Sequence, residues 1–139
     1  MTTRPTNSWI PFTNCSIQIA NLPIAAFELP EQRRKKHHSA EKRHILLTRY
    51  GAYADADGTN CYPGDKKIIE RTGWSRSTIE RLRGDLEMLG FMLADGYVRH
   101  AGSRTATKKW RLVLPPAAQR ALGLLDDVAP SQYPIEASA

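Results

Sequence analysis

Four arginines lie within one short stretch, RTGWSRSTIERLRGDLEMLGF, whose apolar residues have the spacing of one face of a helix. Those apolar residues are Ile79, Leu82, Leu86 and Leu89. On a helical wheel of about 100° per residue, the opposite face and its flanks are polar. This polar side carries Arg76, Ser77, Glu80, Arg81, Arg83, Gly84 and Glu87. Arginine can bond a guanine edge at two points and glutamate can accept from cytosine N4, so this side has the chemistry to read base pairs in a major groove.

The positions along this helix predict different contacts. A helix that docks in a groove touches bases with its N-terminal part, which nominates Arg76, Ser77, Glu80 and Arg81 as base contacts. Arg83 lies closer to the apolar boundary, so we expect it to contact phosphate or to pair with Glu87 one turn further on.

Gly84 is the unusual residue of this helix. Glycine costs about 1 kcal/mol relative to alanine in a helix interior. The wheel turns Gly84 away from the leucines, so tight packing in the core does not account for it. One explanation is that a DNA backbone or groove wall passes close to this position. The alternative is a glycine that is simply tolerated at an exposed site.

Two further segments combine positive charge with small polar residues. The first is the loop HAGSRTATKK, in which we expect DNA contacts from Ser103, Arg104, Thr105, Lys108 and Lys109. Such a loop can follow phosphates or place an arginine in a minor groove, although a mobile hairpin tip has the same composition. The second is the block RRKK, with Arg33, Arg34, Lys35 and Lys36, which is either an arm along the DNA backbone or a solvated charge run.

The overall charge agrees with an anionic partner. The chain has 139 residues, enough for one domain, and a formal net charge of +6. Residues 33–114 hold 18 Lys and Arg against 9 Asp and Glu, whereas both ends of the chain are mildly acidic. A basic centre of this kind is typical of proteins that bind polyanions.

Composition also excludes several classes of protein. Cys15 and Cys61 have no CxxC partner, so the sequence predicts reduced thiols and no metal site. We expect no cofactor and no enzymatic activity, because no nucleophile–base set and no glycine-rich phosphate loop is present. No apolar run approaches the roughly 18 residues of a membrane span, and no signal peptide is visible. We therefore expect a cytoplasmic protein without a membrane partner.

Three helices are expected to position these groups. Ser39 is a candidate N-cap for the first helix, which we expect to end at Asp57-Gly58. A short extended segment, TNCYP, follows. The second helix, DKKIIERTG, has Asp65 or Gly64 as its cap, Ile68 and Ile69 inward and Gly73 at its exit, and the third runs from a cap at Ser75 to Gly90.

The remaining segments predict a hairpin and two tails. FMLADGYVRH and KKWRLVL have the pattern of strands. Asp95-Gly96 is either a tight turn or a bulge inside one longer strand, and we favour the bulge. Residues 1–38 are expected to be an extended or flexible arm, residues 39–114 a domain, and residues 115–139 a short helix with a disordered tail.

The stretch HILLTRYGAYADADGTNCYPGDKKIIERTGWSRSTIERLRGDLEMLGF resembles the winged helix-turn-helix domains of bacteria, their plasmids and phages. The similarity extends over residues 42–114 through YADADG, CYP, the paired helices and the basic strand after the loop. It implies a mainly α fold with a small antiparallel β-wing, a three-helix core plus a β-hairpin, and DNA contacts at Arg76, Ser77 and Arg81. The chain departs from the family pattern at Gly64, where a serine cap is usual, and at Gly84.

The resemblance implies a sequence-specific double-stranded DNA-binding protein. The expected role is a transcriptional regulator of a mobile element or phage, with residues 76–89 in the major groove and residues 100–109 on the backbone or minor groove. The alternatives are a replication-initiation or partition protein that binds an origin, and a winged helix used mainly for protein contacts. A homodimer and a protein partner at the C-terminal segment are further possible assemblies.

Overall fold

The computed structural model describes residues 9–29, 39–99, 101–102 and 104–124. These residues form five α-helices, one short 3₁₀ helix and a three-stranded antiparallel sheet. The order is β1 (Ile10–Pro11), α1 (Cys15–Ala20), the 3₁₀ helix (Ile24–Phe27), α2 (Ala40–Gly51), α3 (Gly64–Thr72), α4 (Arg76–Leu89), β2 (Met92–Arg99), β3 (Ala106–Leu114) and α5 (Pro116–Ala121). This mixture of helices and a small antiparallel sheet is compatible with the helix-plus-wing layout that the sequence suggested.

Helix α2 begins as predicted and ends earlier than predicted. Ser39 is its N-cap and accepts a hydrogen bond from the backbone N–H of Lys42. The expected end at Asp57-Gly58 is wrong, because α2 stops at Gly51. The chain then turns so that the carbonyl of Gly58 accepts from the N–H of Leu112 at 2.8 Å. Pairing with β3 therefore competes successfully with a longer helix.

Helices α3 and α4 are separated by a short, capped connection. Neither Asp65 nor Gly64 caps α3, since Pro63 occupies that position without a side-chain cap. Gly73 ends α3 in the left-handed conformation, and Ser75 caps α4 by accepting from the N–H of Thr78. These two boundaries were predicted correctly, and they fix the turn that directs α4.

The prediction of an extended or flexible arm over residues 1–38 is wrong for residues 9–29. This part folds as β1, α1 and the 3₁₀ helix. Its buried side chains belong to the hydrophobic core or lie beside it: Phe12, Cys15, Ile19, Leu22, Phe27 and Leu29. Asn14 caps α1, which is only 6 residues long. A helix this short shows too few turns for its period to be recognised in the sequence.

Strand β3 lies at the centre of the sheet. β2 pairs with one of its edges, and β1 pairs with the other through Ile10 opposite Leu114. Cys61 extends this second edge by a two-way backbone pairing with Trp110. The register of β2 shifts around Gly96, which has a φ of +86°, so the predicted bulge is confirmed.

A buried ion pair joins the helices beneath this sheet. The Nε of Arg43 in α2 lies 3.0 Å from Oδ2 of Asp85 in α4, and both side chains are almost fully buried. The Nη1 of Arg43 also donates to the carbonyl of Phe27 at 2.9 Å. One arginine therefore connects α2, α4 and the N-terminal segment.

Replacing Asp85 by alanine should lower the free energy of unfolding by about 3–5 kcal/mol, because Arg43 would keep a buried charge without that partner. Urea denaturation followed by circular dichroism measures the effect. The exposed Glu87 of the same helix provides the control, since Glu87→Ala should change the free energy by less than about 0.5 kcal/mol. Equal losses in the two variants would contradict a structural role for the pair.

Candidate nucleic-acid interface

Helix α4 has one buried face and one open face. Ile79, Leu82 and Leu86 are fully buried, as the apolar spacing predicted. A Cβ atom added at Gly84 would meet no heavy atom within 4 Å among the described residues. At Gly84 the polar side predicted on the helical wheel therefore faces outward, and nothing in the described part of the chain covers it there.

Most of the α4 residues nominated for DNA contact lie on this open side. The exposed members are Arg76, Ser77, Glu80, Arg81 and Gly84. They follow the capped N-terminus of α4, where Ser75 holds the first turn and its Oγ lies 3.3 Å from that of Ser77. The structure thus brings together a rigid helix start, two exposed arginines and a glutamate.

Arg83 has a structural role instead. The expected pairing with Glu87 is wrong, because Nη1 of Arg83 donates to Oδ1 of Asp65 at 2.8 Å and to the hydroxyl of Tyr50 at 2.9 Å. Burial alone would lower the pKa of Arg83, but these two partners raise it above its usual value. Only 16% of the side chain is exposed, so Arg83 is a much poorer candidate for a phosphate contact than Arg81.

Asp65 also holds the first arginine of α4. Its Oδ2 accepts from Nη1 of Arg76 at 3.0 Å, while 59% of the Arg76 side chain remains exposed. Sequence reasoning treated Asp65 only as a possible helix cap. The pairing joins residues eleven positions apart across the turn between α3 and α4, and no local spacing rule predicts such a contact.

The middle of the β2–β3 hairpin lies beside α4. Nζ of Lys108 is 4.5 Å from the centre of the Trp110 ring, and the guanidinium carbon of Arg83 is 5.5 Å from the same centre. A cleft of about 170 Å³ lies here, lined by Tyr50, Gly64, Asp65, Arg83, Lys108 and Trp110. The hairpin and α4 therefore share one continuous surface.

The other nominated hairpin and arm residues divide into three groups. Lys109 follows Lys108 along β3, so strand alternation turns it toward the opposite face of the sheet, and it is half-buried. Arg104 and Thr105 are exposed near the tip, where the carbonyl of Arg104 accepts from Nη1 of Arg99. Ser103 lies outside the described residues. The nominated arm lies outside them too: Arg33, Arg34, Lys35 and Lys36.

Two further observations concern the thiols and the potential metal ligands of the described residues. Burial raises the pKa of both the Cys15 and the Cys61 thiol to about 12, which disfavours the thiolate. Within the described ranges no group of three or more potential metal ligands is present. None of the helices described has both the length and the apolar character needed to cross a membrane.

Comparisons of the chain with models of known protein families, with curated proteins and with solved structures find no match. A proposal about the partner therefore rests on the open face of α4 and on the adjoining hairpin.

The open space at Gly84 has a direct consequence for stability. Gly84→Ala should raise the free energy of unfolding by about 0.5–1 kcal/mol, since the new methyl group meets no neighbour and alanine favours the helix. Thermal denaturation and urea titration measure this change in the free energy of unfolding. Gly58→Ala is the contrasting variant: its Cβ would collide with the carbonyl oxygen of Leu112, and it should destabilise the protein. A destabilised Gly84→Ala protein would contradict an open position.

Proposed function

We propose that this chain is a winged helix-turn-helix protein that binds double-stranded DNA in a sequence-specific manner. Helix α4 would lie in the major groove, and the β2–β3 hairpin would act as the wing on the backbone or in the minor groove. The observation that carries this proposal is the open polar face of α4 beside Lys108 in the middle of the hairpin.

The order of the elements supports this proposal. Helices α2, α3 and α4 are followed directly by the β2–β3 hairpin, and Cys61 pairs with β3 between α2 and α3. Residues 73–75 make a short connection between α3 and α4, as in a helix-turn-helix unit. The resemblance of residues 42–114 to that family rests on the same segments.

The chemistry of the surface also favours DNA over a neutral partner. Arg76 and Arg81 can bond guanine edges, Glu80 can accept from a cytosine amine, and Ser77 can bond a base or a phosphate. Helix α4 is 14 residues long and presents these groups in its first half. Docking of such a helix places its N-terminal residues against base edges.

The biological role that we propose is regulation of transcription for a bacterial mobile element or phage. This part rests on the resemblance to small stand-alone regulators. A replication or partition role at an origin would use the same binding surface. A reporter gene placed downstream of the preferred DNA site would distinguish regulation of transcription from that role. Repression or activation of the reporter is the result expected for a regulator.

Binding to duplex DNA should weaken steeply with salt. Each neutralised phosphate contributes about −0.9 to the slope of log K against log salt concentration, through release of counterions. Fluorescence anisotropy with random-sequence duplexes measures the slope, and selection from a random library followed by sequencing gives the preferred site. No duplex binding at low salt would overturn the proposal and would favour a surface that binds protein.

Single substitutions should separate base contacts from phosphate contacts. Arg81→Ala should cost about 1–3 kcal/mol on the selected site and relax the preference at one base pair. Lys108→Ala should weaken all duplexes alike and make the salt slope shallower by about one. Selection repeated with each variant measures both effects.

The matched control is Arg120→Ala, because Arg120 is an exposed cation on α5 and was not nominated for DNA contact. It should leave both the site preference and the salt slope unchanged. A uniform loss of affinity in Arg81→Ala, with the preference intact, would assign Arg81 to the backbone.

A further inference from the structure

The carboxylate of Asp65 lies between two arginines of this basic surface. We infer that Asp65 is a positioning residue that sets the sequence specificity of Arg76, an inference that rests on the proposed DNA binding. Asp65 bonds two arginines of α4 at once, one through each carboxylate oxygen.

The first of these contacts fixes the carboxylate. Oδ1 of Asp65 accepts from Arg83, which is held in turn by the hydroxyl of Tyr50 and packs over the ring of Trp110. Arg83 is largely buried, and Asp65 is about three-quarters covered. Because one oxygen is anchored to the protein core, the direction of the other oxygen is set as well.

The second contact transmits this direction to Arg76. In this contact Arg76 donates one hydrogen bond, from its Nη1 to Oδ2 of Asp65. A guanidinium group has five N–H donors, so the edge formed by Nε and Nη2 remains available for a bidentate contact with guanine. Asp65 therefore restrains the side chain without using the edge that would read the base.

The charge of Asp65 also acts against unspecific binding. On a duplex without the matching base, Arg76 could gain only phosphate contacts, and it would have to leave Asp65 to make many of them. The carboxylate would then face phosphates without this partner, which is unfavourable. Specific binding keeps the pair, so Asp65 discriminates by penalising the wrong partners as well as by orienting Arg76.

Asp65→Asn tests this role because asparagine keeps the size of the side chain and its oxygen can still accept from Arg83. Affinity for a shuffled duplex should rise, affinity for the selected duplex should change less, and the ratio between them should fall by about three- to tenfold, the range of an exposed to partly buried charge pair. Anisotropy titrations with the two duplexes give the ratio. Glu70→Gln is the matched control, since it removes one negative charge from an exposed position of the same helix.

The Arg76→Gln background shows whether Asp65 acts through Arg76. In that background Asp65→Asn should leave the ratio unchanged. A ratio that falls equally with and without Arg76, or that falls equally in Glu70→Gln, would overturn the inference, because either result shows a general effect of charge. Binding of the parent protein to duplex DNA with an unchanged ratio in Asp65→Asn would sink the inference and leave the proposed function intact. Absence of duplex binding by the parent protein would overturn both.

A purely structural role for Asp65 makes a different prediction. Loss of fold support would lower the melting temperature and weaken both duplexes together. Melting curves of Asp65→Asn and Glu70→Gln therefore accompany the titrations, and a lower affinity for both duplexes in a less stable variant counts against the inference.

Discussion

The orientation of α4 depends on the buried contact between Arg43 and Asp85. Desolvating two charges is costly, and this cost is offset only while the pair and its hydrogen bonds stay intact. The geometry of that contact ties the inner face of α4 to α2, and the second bond of Arg43 adds the carbonyl of Phe27. Because the inner face of α4 is held against α2, the opposite face, with Gly84 and Arg81, is directed outward. The proposed reading surface is thus a consequence of what is buried on the other side of the helix.

A second polar network, around Arg83, holds a cation of this surface against the protein instead of leaving it exposed. Asp65 and Tyr50 bind Arg83, and the Trp110 ring lies between α4 and the hairpin beside both Arg83 and Lys108. Hydrogen bonds to a charged group are stronger than neutral ones, so this network stabilises the junction. It also removes one arginine from the set that is free to meet a ligand. The number of arginines on a helix is therefore a poor measure of its contacts with DNA.

Local rules accounted for the helix boundaries that local chemistry controls. Ser39 and Ser75 act as caps, Gly73 and Gly90 end their helices in the left-handed conformation, and the bulge lies at Gly96. What could not be predicted depends on partners distant in sequence. Residues 9–29 fold because the core around α2 receives their apolar side chains, and α2 stops early because Gly58 pairs with β3. The starts of α2 and α4 and the ends of α3 and α4 followed from sequence, while the end of α2 and the pairings of Asp65 and Arg43 required the assembled fold.

The hairpin combines a fixed middle with an exposed tip, and this division suits the two kinds of contact in the proposed complex. In the middle, Trp110 is buried and Lys108 lies over its ring, so the position of the hairpin relative to α4 is set by packing. Toward the tip, Gly102 and Arg104 are exposed and the backbone turns. Base reading needs groups held in place by a rigid element, which α4 provides. Phosphates recur along every duplex, so a cation at the tip can contact one without being positioned as accurately as a base-reading group. The weaker packing of the tip therefore has little effect on specificity.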